Sequence, residues 1–463
     1  MLFNSFVFLF AFLPVCYAVF WALRTARARY VWLAITGYVF YGYWDWRFCG
    51  LMLFSTLVSY FAGLGFLRWE DAKRRKLCLV LPITVDLCLL GFFKYANFAL
   101  GSARSLTGWM GAPIEVPHLD VILPIGISFY TFHTISYIVD AYRGAIKPTR
   151  NFFEFAAYVS LFSQLVAGPI VRFRQIEADL EALGGASRTR WLTRGLRFFA
   201  VGLVEKVLVA DSLAAYVDPA LANWHALGTM GAWAVMIGYS LQLYFDFSGY
   251  SSMAAGLGMM FGLRIPQNFD SPYRSLDPSE FWRRWHISLS TCMRDYLYIP
   301  FGGNRGTVLM KYRNLMLTML IGGLWHGAAW TFVAWGAYHG LLLVAYQANA
   351  ARWDAWPVAV RRGVMLVAVL VGWVPFRATD FSMTMSIVRT LFVPTAGALP
   401  AGTLLVLPLL AGATAWSVWG PNAFEVDEQP VTRWTRVAMA VASGAALAII
   451  SGDRASPFLY FQF

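Results

Sequence analysis

Long apolar stretches with little charge between them limit what this chain can fold into. Windows of about 20 hydrophobic residues, enough to cross ~30 Å of hydrocarbon as a helix, recur from one end of the sequence to the other. Only 13% of the 463 residues are charged, whereas soluble domains average ~25%. We therefore predict an all-α polytopic membrane protein in which residues 1–463 form a single integral-membrane domain. We expect about eleven transmembrane helices.

The excess of positive charge follows the apolar windows and does not indicate a nucleic-acid surface. The formal net charge is +12, but lysine and arginine gather in short clusters between spans, as at residues 24–29 and 73–76. Clusters of this kind mark the cytoplasmic loops of membrane proteins and attract anionic headgroups. We expect membrane lipids as neighbours and no nucleic-acid partner.

Two stretches do not fit a plain membrane span. Residues 152–174 are apolar but contain Gly168-Pro169, which cannot continue a regular helix, so this stretch is predicted to be broken or re-entrant. Residues 264–312 are too charged to lie in lipid and too aromatic to be a free loop. We predict that they form short helices at the cytoplasmic face.

The remaining windows are predicted as ordinary spans and loops. Residues 230–245 and 251–263 are predicted to be two separate spans, with the acidic residue Asp246 at the end of the first. Residues 96–120, which are more polar and contain two prolines, are predicted to be an external loop.

Two histidines in this apolar chain are the candidate catalytic residues. An ionisable side chain at membrane depth is costly, so its presence is a functional hypothesis by default. His326 stands in the run GGLWHG, where the small residues Gly322, Gly323 and Gly327 would let a thin substrate or another backbone pass close to the imidazole. His286 stands in the run FWRRWHISLS. The alternative for each is a hydrogen-bonded core histidine.

Several neighbouring side chains are candidates for lining a substrate or donor site. Arg283 and Arg284 could hold the phosphates of a nucleotide-bearing donor, because guanidinium groups match phosphate geometry. They could equally anchor an interfacial helix to anionic lipid. Trp282 stands beside them, and the Trp325 indole is a candidate donor to an oxyanion.

Two polar residues elsewhere on apolar helices could face the same site. His133 could line the cavity, although a lone polar residue on a membrane helix often bonds a neighbouring helix. Asp246 could orient an imidazole or bond backbone at a helix break. The sequence has no serine-hydrolase elbow, HExxH motif, nucleotide loop or CxxC pair, and its five cysteines show no metal-ligand spacing. We predict no metal site.

Seven segments together resemble the membrane-bound O-acyltransferase family. They are PIGISFYTFHTISYIVDAYRG, QLVAGPIVRFR, YFDFSGYSSMAAGLG, FWRRWHISLS, RDYLYIPFGGNRG, GGLWHGAAWTFVAWGAYHG and the terminal PFLYFQF. The most similar branch is the bacterial one that O-acetylates exopolysaccharides, and the resemblance covers nearly the whole chain. Two positions depart from the usual pattern of that branch: Ser252 stands where Asp is common, and His133 replaces a more usual Gln or Glu.

The resemblance implies a fold and an activity. In this family tilted helices surround a central tunnel, His326 matches the near-invariant histidine of the WHG motif, and His286 matches a second polar position. It implies no bound cofactor and an acyl thioester such as acetyl-CoA as donor substrate. The acceptor would be an exopolysaccharide hydroxyl, of alginate or cellulose type, or a periplasmic acetyltransferase partner in a polysaccharide synthesis and secretion complex. The implied location is the bacterial cell inner membrane.

Alternative functions stay open at the level of sequence. Related subunits act in peptidoglycan O-acetylation and teichoic-acid D-alanylation. From another class, a proton-coupled transporter of a lipid-linked sugar or acyl group would use the histidines as a proton relay, although no internal repeat of the transporter kind is visible. A scaffold that recruits periplasmic partners would need neither histidine.

Overall fold

Helices form the regular secondary structure of this protein. The computed structural model describes residues 1–112, 114–185, 187–452 and 458–459. Within these ranges one isolated bridge joins Leu227 and Ala398, and the named elements are helical, as predicted. The α-helices are α1 (Leu13–Ala22), α2 (Ala26–Asp45), α3 (Cys49–Arg68), α4 (Ala72–Leu90), α5 (Ala96–Trp109), α6 (Ile127–Tyr142), α7 (Phe152–Val159), α8 (Phe173–Glu181), α9 (Arg188–Leu203), α10 (Asp211–Ala222), α11 (Thr229–Met260), α12 (Pro278–Arg284), α13 (Ile287–Met293), α14 (Val308–His326), α15 (Trp330–Asp354), α16 (Val358–Arg377), α17 (Phe381–Phe392), α18 (Thr403–Trp419), α19 (Ala423–Glu428) and α20 (Arg433–Ser451).

Several helical stretches are long and apolar enough to cross a membrane. In the described ranges four of them meet both conditions: Ala26–Arg68, Ala72–Trp109, Val358–Arg377 and Arg433–Ser451. Shorter apolar helices span Val7–Ala22, Phe381–Phe392 and Thr403–Trp419. The polytopic character is therefore confirmed, while the count of about eleven crossings stays a prediction. Of the terminal motif PFLYFQF, only Phe458 and Leu459 fall inside the described residues.

The chain divides into two compact units. The first unit comprises Met1, residues 7–193 and residues 257–266. The second comprises residues 2–6, 194–256 and 267–463. The single domain inferred from the sequence stays a prediction.

A buried carboxylate ties three helices together in the first unit. Asp86 on α4 accepts hydrogen bonds from Ser55 on α3 at 2.6 Å and from Thr134 on α6 at 2.7 Å. All three side chains are buried. Hydroxyl groups that satisfy a polar atom across helices are a common device in membrane proteins, where helices gain little from the hydrophobic effect.

The predicted break near Gly168-Pro169 is confirmed. Helix α7 ends at Val159, residues 160–172 form turns and extended backbone, and α8 begins at Phe173. This non-helical backbone is buried. Side-chain hydrogen bonds join it to α7, since the Tyr158 hydroxyl donates to the carbonyl of Val171 at 3.0 Å and Gln164 donates to the carbonyl of Tyr158 at 2.7 Å.

One long helix replaces two predicted spans. Residues 230–245 and 251–263 were expected to be separate, but α11 continues from Thr229 to Met260. The helix is not broken at Asp246 because Lys206 lies 2.5 Å from its carboxylate. Gly249 follows, and a Cβ there would lie 2.7 Å from the carbonyl oxygen of Gly202, so a small residue allows this close helix contact.

Glycines bring α14 and α15 together in the second unit. A Cβ atom at Gly323 would lie 2.2 Å from the carbonyl oxygen of Phe332, and one at Gly336 would lie 2.3 Å from that of Met319. The two backbones are therefore in contact, and the short connection between the helices leaves His326 as the last residue of α14.

Other segment predictions had mixed outcomes. The external loop expected at residues 96–120 is wrong in its first half, since α5 occupies Ala96–Trp109 and follows α4 through the π-helical turn Gly91–Tyr95. Helix α17 was not predicted. Short helices do occupy residues 264–312, as expected, with α12 and α13 both seven residues long.

Candidate active site

His326 lies in an aromatic environment at the end of α14. Its side chain is buried. Its ring is 4.8 Å from the ring of Trp335 and 5.4 Å from that of Phe376, both in edge-to-face geometry. A Cβ atom at Gly327, the next residue, would lie 2.1 Å from the ring of Phe332. The glycine after the histidine is therefore required by packing, and the aromatic rings fix the imidazole.

His286 stands in the turn between α12 and α13. Its backbone is left-handed, with φ 44°, and its side chain is fully buried. Nδ1 of His286 lies 3.2 Å from Oδ1 of Asn268, and the ring packs 4.7 Å from that of Phe247. A left-handed conformation is rare for a residue other than glycine and clusters at functional sites.

The structure brings the two histidines together. The centres of their rings are 6.4 Å apart, and the ring of Trp325 lies 6.1 Å from His286 and 5.1 Å from His326. Two imidazoles at this separation can act on the same small group. Trp325, predicted as a lining residue, is buried next to both.

A narrow apolar cavity opens beside His326. Its volume is about 220 Å³, and its lining includes His326, Trp282, Trp335, Gly322 and Arg294. Ligand pockets for drug-sized molecules are usually ~300–1,000 Å³. The space therefore suits a thin chain better than a bulky molecule.

The two predicted arginines do not line this cavity. Arg284 forms ion pairs with Asp270 and Glu280, both at 2.9 Å. Arg283 is exposed on α12. Arg294, at the start of the π-helical segment Arg294–Tyr298, is the arginine among the lining residues. Its neighbour in the sequence, Asp295, pairs with it at 2.8 Å.

Three other predicted residues have different surroundings. Gly323 packs against the backbone of α15, whereas its neighbour Gly322 lines the cavity. Asp246 pairs with Lys206 and accepts a hydrogen bond from the backbone amide of Leu459 at 2.9 Å. His133 belongs to the first unit, where it is buried 5.6 Å from the ring of Tyr158. Neither ring nitrogen of His133 has a hydrogen-bond partner among the described residues.

Sequence reasoning missed the polar residue that lies within hydrogen-bond distance of His286. Asn268 is uncharged and lies in an irregular stretch, PQNFDSPYR, with no periodic pattern. Nothing in the spacing shows that its amide returns to His286. In the described part of the chain, no group of three or more His, Cys, Asp or Glu side chains is placed to hold a metal ion.

Comparisons with known proteins agree on one family. The sequence model of MBOAT, the membrane-bound O-acyltransferase family, matches residues 126–388. The "Probable alginate O-acetylase AlgI" of Azotobacter vinelandii is 41% identical over 513 aligned positions, covering 100% of both chains. The "Peptidoglycan O-acetyltransferase" of Helicobacter pylori is 35% identical, over 84% of this chain and 79% of its own length. The "Teichoic acid D-alanyltransferase" of Bacillus subtilis is 29% identical, over 51% and 61% respectively.

Proposed function

This chain belongs to the membrane-bound O-acyltransferase family, and from that premise we propose that it is an O-acetyltransferase acting on a polysaccharide hydroxyl or on a partner that serves one. The observation that carries the proposal is the pair His286 and His326, 6.4 Å apart, with His326 lining a narrow apolar cavity. An apolar slot suits an acyl chain, and the His326 imidazole on its wall, with His286 behind it, suits acid-base chemistry.

In the proposed reaction His326 acts as general base. A histidine with an ordinary pKa of ~6.5 is matched to removing a hydroxyl proton near neutral pH, which contributes roughly 10²–10⁴-fold to the rate. The hydroxyl oxygen bonds to the thioester carbonyl carbon, the C–S bond breaks, and the proton passes to the departing thiolate. Trp325, next to both imidazoles, is a candidate donor to the oxyanion.

Three roles are consistent with the position of His286. It can polarise the thioester carbonyl, position the donor thiol or assist the proton transfer of His326. A covalent acetyl-histidine is a further route to the same products. Each of these roles requires an imidazole at this position, so each predicts a large loss of activity when the imidazole is removed.

The donor is proposed to be acetyl-CoA or another acyl thioester. Its arm would occupy the cavity, whose walls include Trp282 and Trp335. Arg294 also lines this cavity, and a guanidinium suits the phosphate groups that such donors carry beyond the thioester arm. No bound cofactor is required.

The acceptor and the partners are assigned from the relatives. An alginate-type exopolysaccharide is favoured because the similarity to the Azotobacter protein covers both chains from end to end. Cellulose-type acetylation is closely related chemistry. Peptidoglycan and teichoic-acid chemistry are less favoured, because the Helicobacter and Bacillus proteins match this chain with lower identity and coverage. We propose a periplasmic acetyltransferase subunit within a polysaccharide synthesis complex as partner, at the bacterial inner membrane.

The alternatives make different predictions for the same variant. A proton-coupled transporter would lose substrate flux in His326→Ala but would never transfer an acetyl group from a thioester. A scaffold would keep polymer acetylation in His326→Ala. Loss of acetyl transfer with intact membrane insertion is expected only for the enzyme.

The test is the amount of polymer-bound acetate in cells whose native copy is replaced by a variant. We expect His326→Ala and His286→Ala to lower acetate at least 100-fold with normal membrane levels of the protein, on the basis of the general-base term. His225→Ala is the matched control, because His225 is exposed and stacks on Trp224 at 3.4 Å. Retained acetate in His326→Ala would contradict the catalytic proposal.

A further inference from the structure

The side chain of Asn268 forms the centre of a hydrogen-bond cluster around His286. It is buried, and its Oδ1 accepts from the backbone amide of Ser288 at 3.1 Å and from the Ser288 hydroxyl at 2.8 Å. The same oxygen lies 3.2 Å from Nδ1 of His286. Nδ2 of Asn268 donates to the hydroxyl of Ser251 at 3.1 Å.

These contacts fix which way the amide of Asn268 faces. The backbone N–H of Ser288 can only donate, so the atom in front of it must be the amide oxygen. A flipped amide would place its NH₂ group against that N–H. An amide oxygen can only accept, and Nδ1 of His286 must therefore be the protonated nitrogen.

The main chain of Asn268 holds the same turn. Its carbonyl accepts from the backbone amide of Ile287 at 2.9 Å, directly after the left-handed backbone of His286. The backbone carbonyl and the side-chain amide of Asn268 thus both hold the turn at His286, whose left-handed backbone is rare for a residue other than glycine. Such a conformation persists only where the surroundings hold it.

We propose that Asn268 is a positioning residue that keeps His286 as the neutral Nδ1–H tautomer. This inference rests on the proposed function. With the proton on Nδ1, Nε2 carries a lone pair, and a lone pair cannot polarise a carbonyl oxygen. The tautomer therefore excludes the carbonyl-polarising role, and His286 serves the reaction by assisting His326, taking over the proton that His326 removes from the acceptor hydroxyl. The hydroxyl O–H and the thioester C–S bonds break, the ester C–O bond forms, and the thiolate takes up the proton.

Nitrogen-15 NMR of the full-length protein in lipid, labelled in its histidine rings, measures the tautomer without any substrate. The chain has six histidines, and the spectrum of His286→Gln assigns the His286 signals. We expect protonated-type Nδ1 and unprotonated-type Nε2 signals in the wild type, and a mixture of tautomers in Asn268→Ala. A wild-type His286 protonated on Nε2, or an unchanged tautomer in Asn268→Ala, would overturn the inference.

Kinetics with acetyl-CoA as probe separate a positioning role from a structural one. We expect kcat of Asn268→Ala to fall ~10–100-fold at unchanged KM, by analogy with residues that orient a metal-bound histidine through its second nitrogen. Ser251→Ala, which removes only the partner of Nδ2, should stay within a few-fold of wild type. A purely structural role would instead lower the amount of folded protein and leave kcat per folded molecule intact.

Asn268→Asp adds a pH test. A carboxylate beside Nδ1–H stabilises the imidazolium, so the acidic limb of the kcat/KM profile should move up by about one pH unit or more. His326 is the titratable group facing His286 across 6.4 Å, while Phe247 and Trp325 are uncharged neighbours. An unmoved limb contradicts the inference about Asn268, whereas full activity of His286→Ala contradicts the proposed function instead.

Discussion

The imidazole rings of His286 and His326 lie 6.4 Å apart, although one stands in a strained turn and the other at the end of a long helix. Different forces place them. His326 is set by glycine contacts between α14 and α15, and His286 is set by the hydrogen bonds of Asn268. A substitution at the α14–α15 glycines should therefore displace His326 more than His286, and a substitution of Asn268 should do the reverse.

Arg294 and Arg283 give a matched pair for the donor site. Arg294→Gln should raise the KM for acetyl-CoA at least tenfold, because a charge-assisted hydrogen bond to phosphate is worth about 1.5–3 kcal/mol. Arg283→Gln removes a nearby arginine that does not line the cavity, and should change KM little. Steady-state kinetics of the purified proteins measure both. Equal effects of the two substitutions would remove Arg294 from the donor site.

Gly322 and Gly323 are adjacent but should respond in opposite ways. A Cβ atom at Gly322 has nothing within 4 Å, whereas one at Gly323 would lie 2.2 Å from the carbonyl oxygen of Phe332. Gly322→Leu should fold normally and lose acetyl transfer by filling the cavity. Gly323→Ala should separate α14 from α15 and cost about 1–3 kcal/mol of stability. Thermal unfolding in detergent and activity per folded molecule distinguish these outcomes, and a stable, active Gly323→Ala protein would contradict the contact.

Much of the helical framework could be predicted from composition and from helix-breaking residues. The apolar windows predicted the helices, and Gly168-Pro169 predicted the break after α7, because backbone chemistry acts locally. The division at Asp246 was predicted wrongly for the same reason. A carboxylate in apolar sequence indicates the end of a span when it has no partner. Asp246 is paired with Lys206, and that contact depends on tertiary packing.

The site was predictable only in part. The histidines stood out because they are rare in apolar sequence. Asn268 and Arg294 did not stand out, since Asn268 lies in a stretch with no period and Arg294 stands next to an acidic residue in helical sequence. Arg284 looked like a phosphate ligand, but folding gives it two carboxylate partners, Asp270 and Glu280.

The pair Arg274 and Glu425 predicts a pH dependence of stability outside the membrane-spanning helices. Partial burial would raise the pKa of Glu425, but the hydrogen bond from Arg274 at 2.8 Å and the amide of Asn422 hold this pKa below its usual value. A lowered folded-state pKa stabilises the fold above the unfolded value of ~4.3 and loses that contribution as pH falls through the folded pKa. Glu425→Gln should be less stable than wild type at pH 7, and the difference should shrink as pH falls below about 4. A constant difference in melting temperature would contradict this linkage.

Removing the charge of Lys206 should cause a large loss of stability. Its ammonium lies between Asp211 at 2.7 Å and Asp246 at 2.5 Å, and all three side chains are buried. Lys206→Met leaves two carboxylates without their cation, which costs about 3–5 kcal/mol for a buried pair. Arg47→Met removes an exposed partner of Asp45, where water replaces the lost contact, so its effect on stability should be much smaller.

Thermal unfolding of Lys206→Met and Arg47→Met measures the difference in stability between them. The activity of folded Lys206→Met protein shows whether Asp246 takes part in the reaction or only supports the site. Asp246 contacts Lys206 and the amide of Leu459, and Phe458 beside it packs 5.6 Å from Phe247, which in turn contacts His286. Because this chain of contacts reaches His286 only through packing, folded Lys206→Met protein should keep kcat within a few-fold of wild type. A folded variant with wild-type stability and no activity would place Asp246 in the reaction and not in its support.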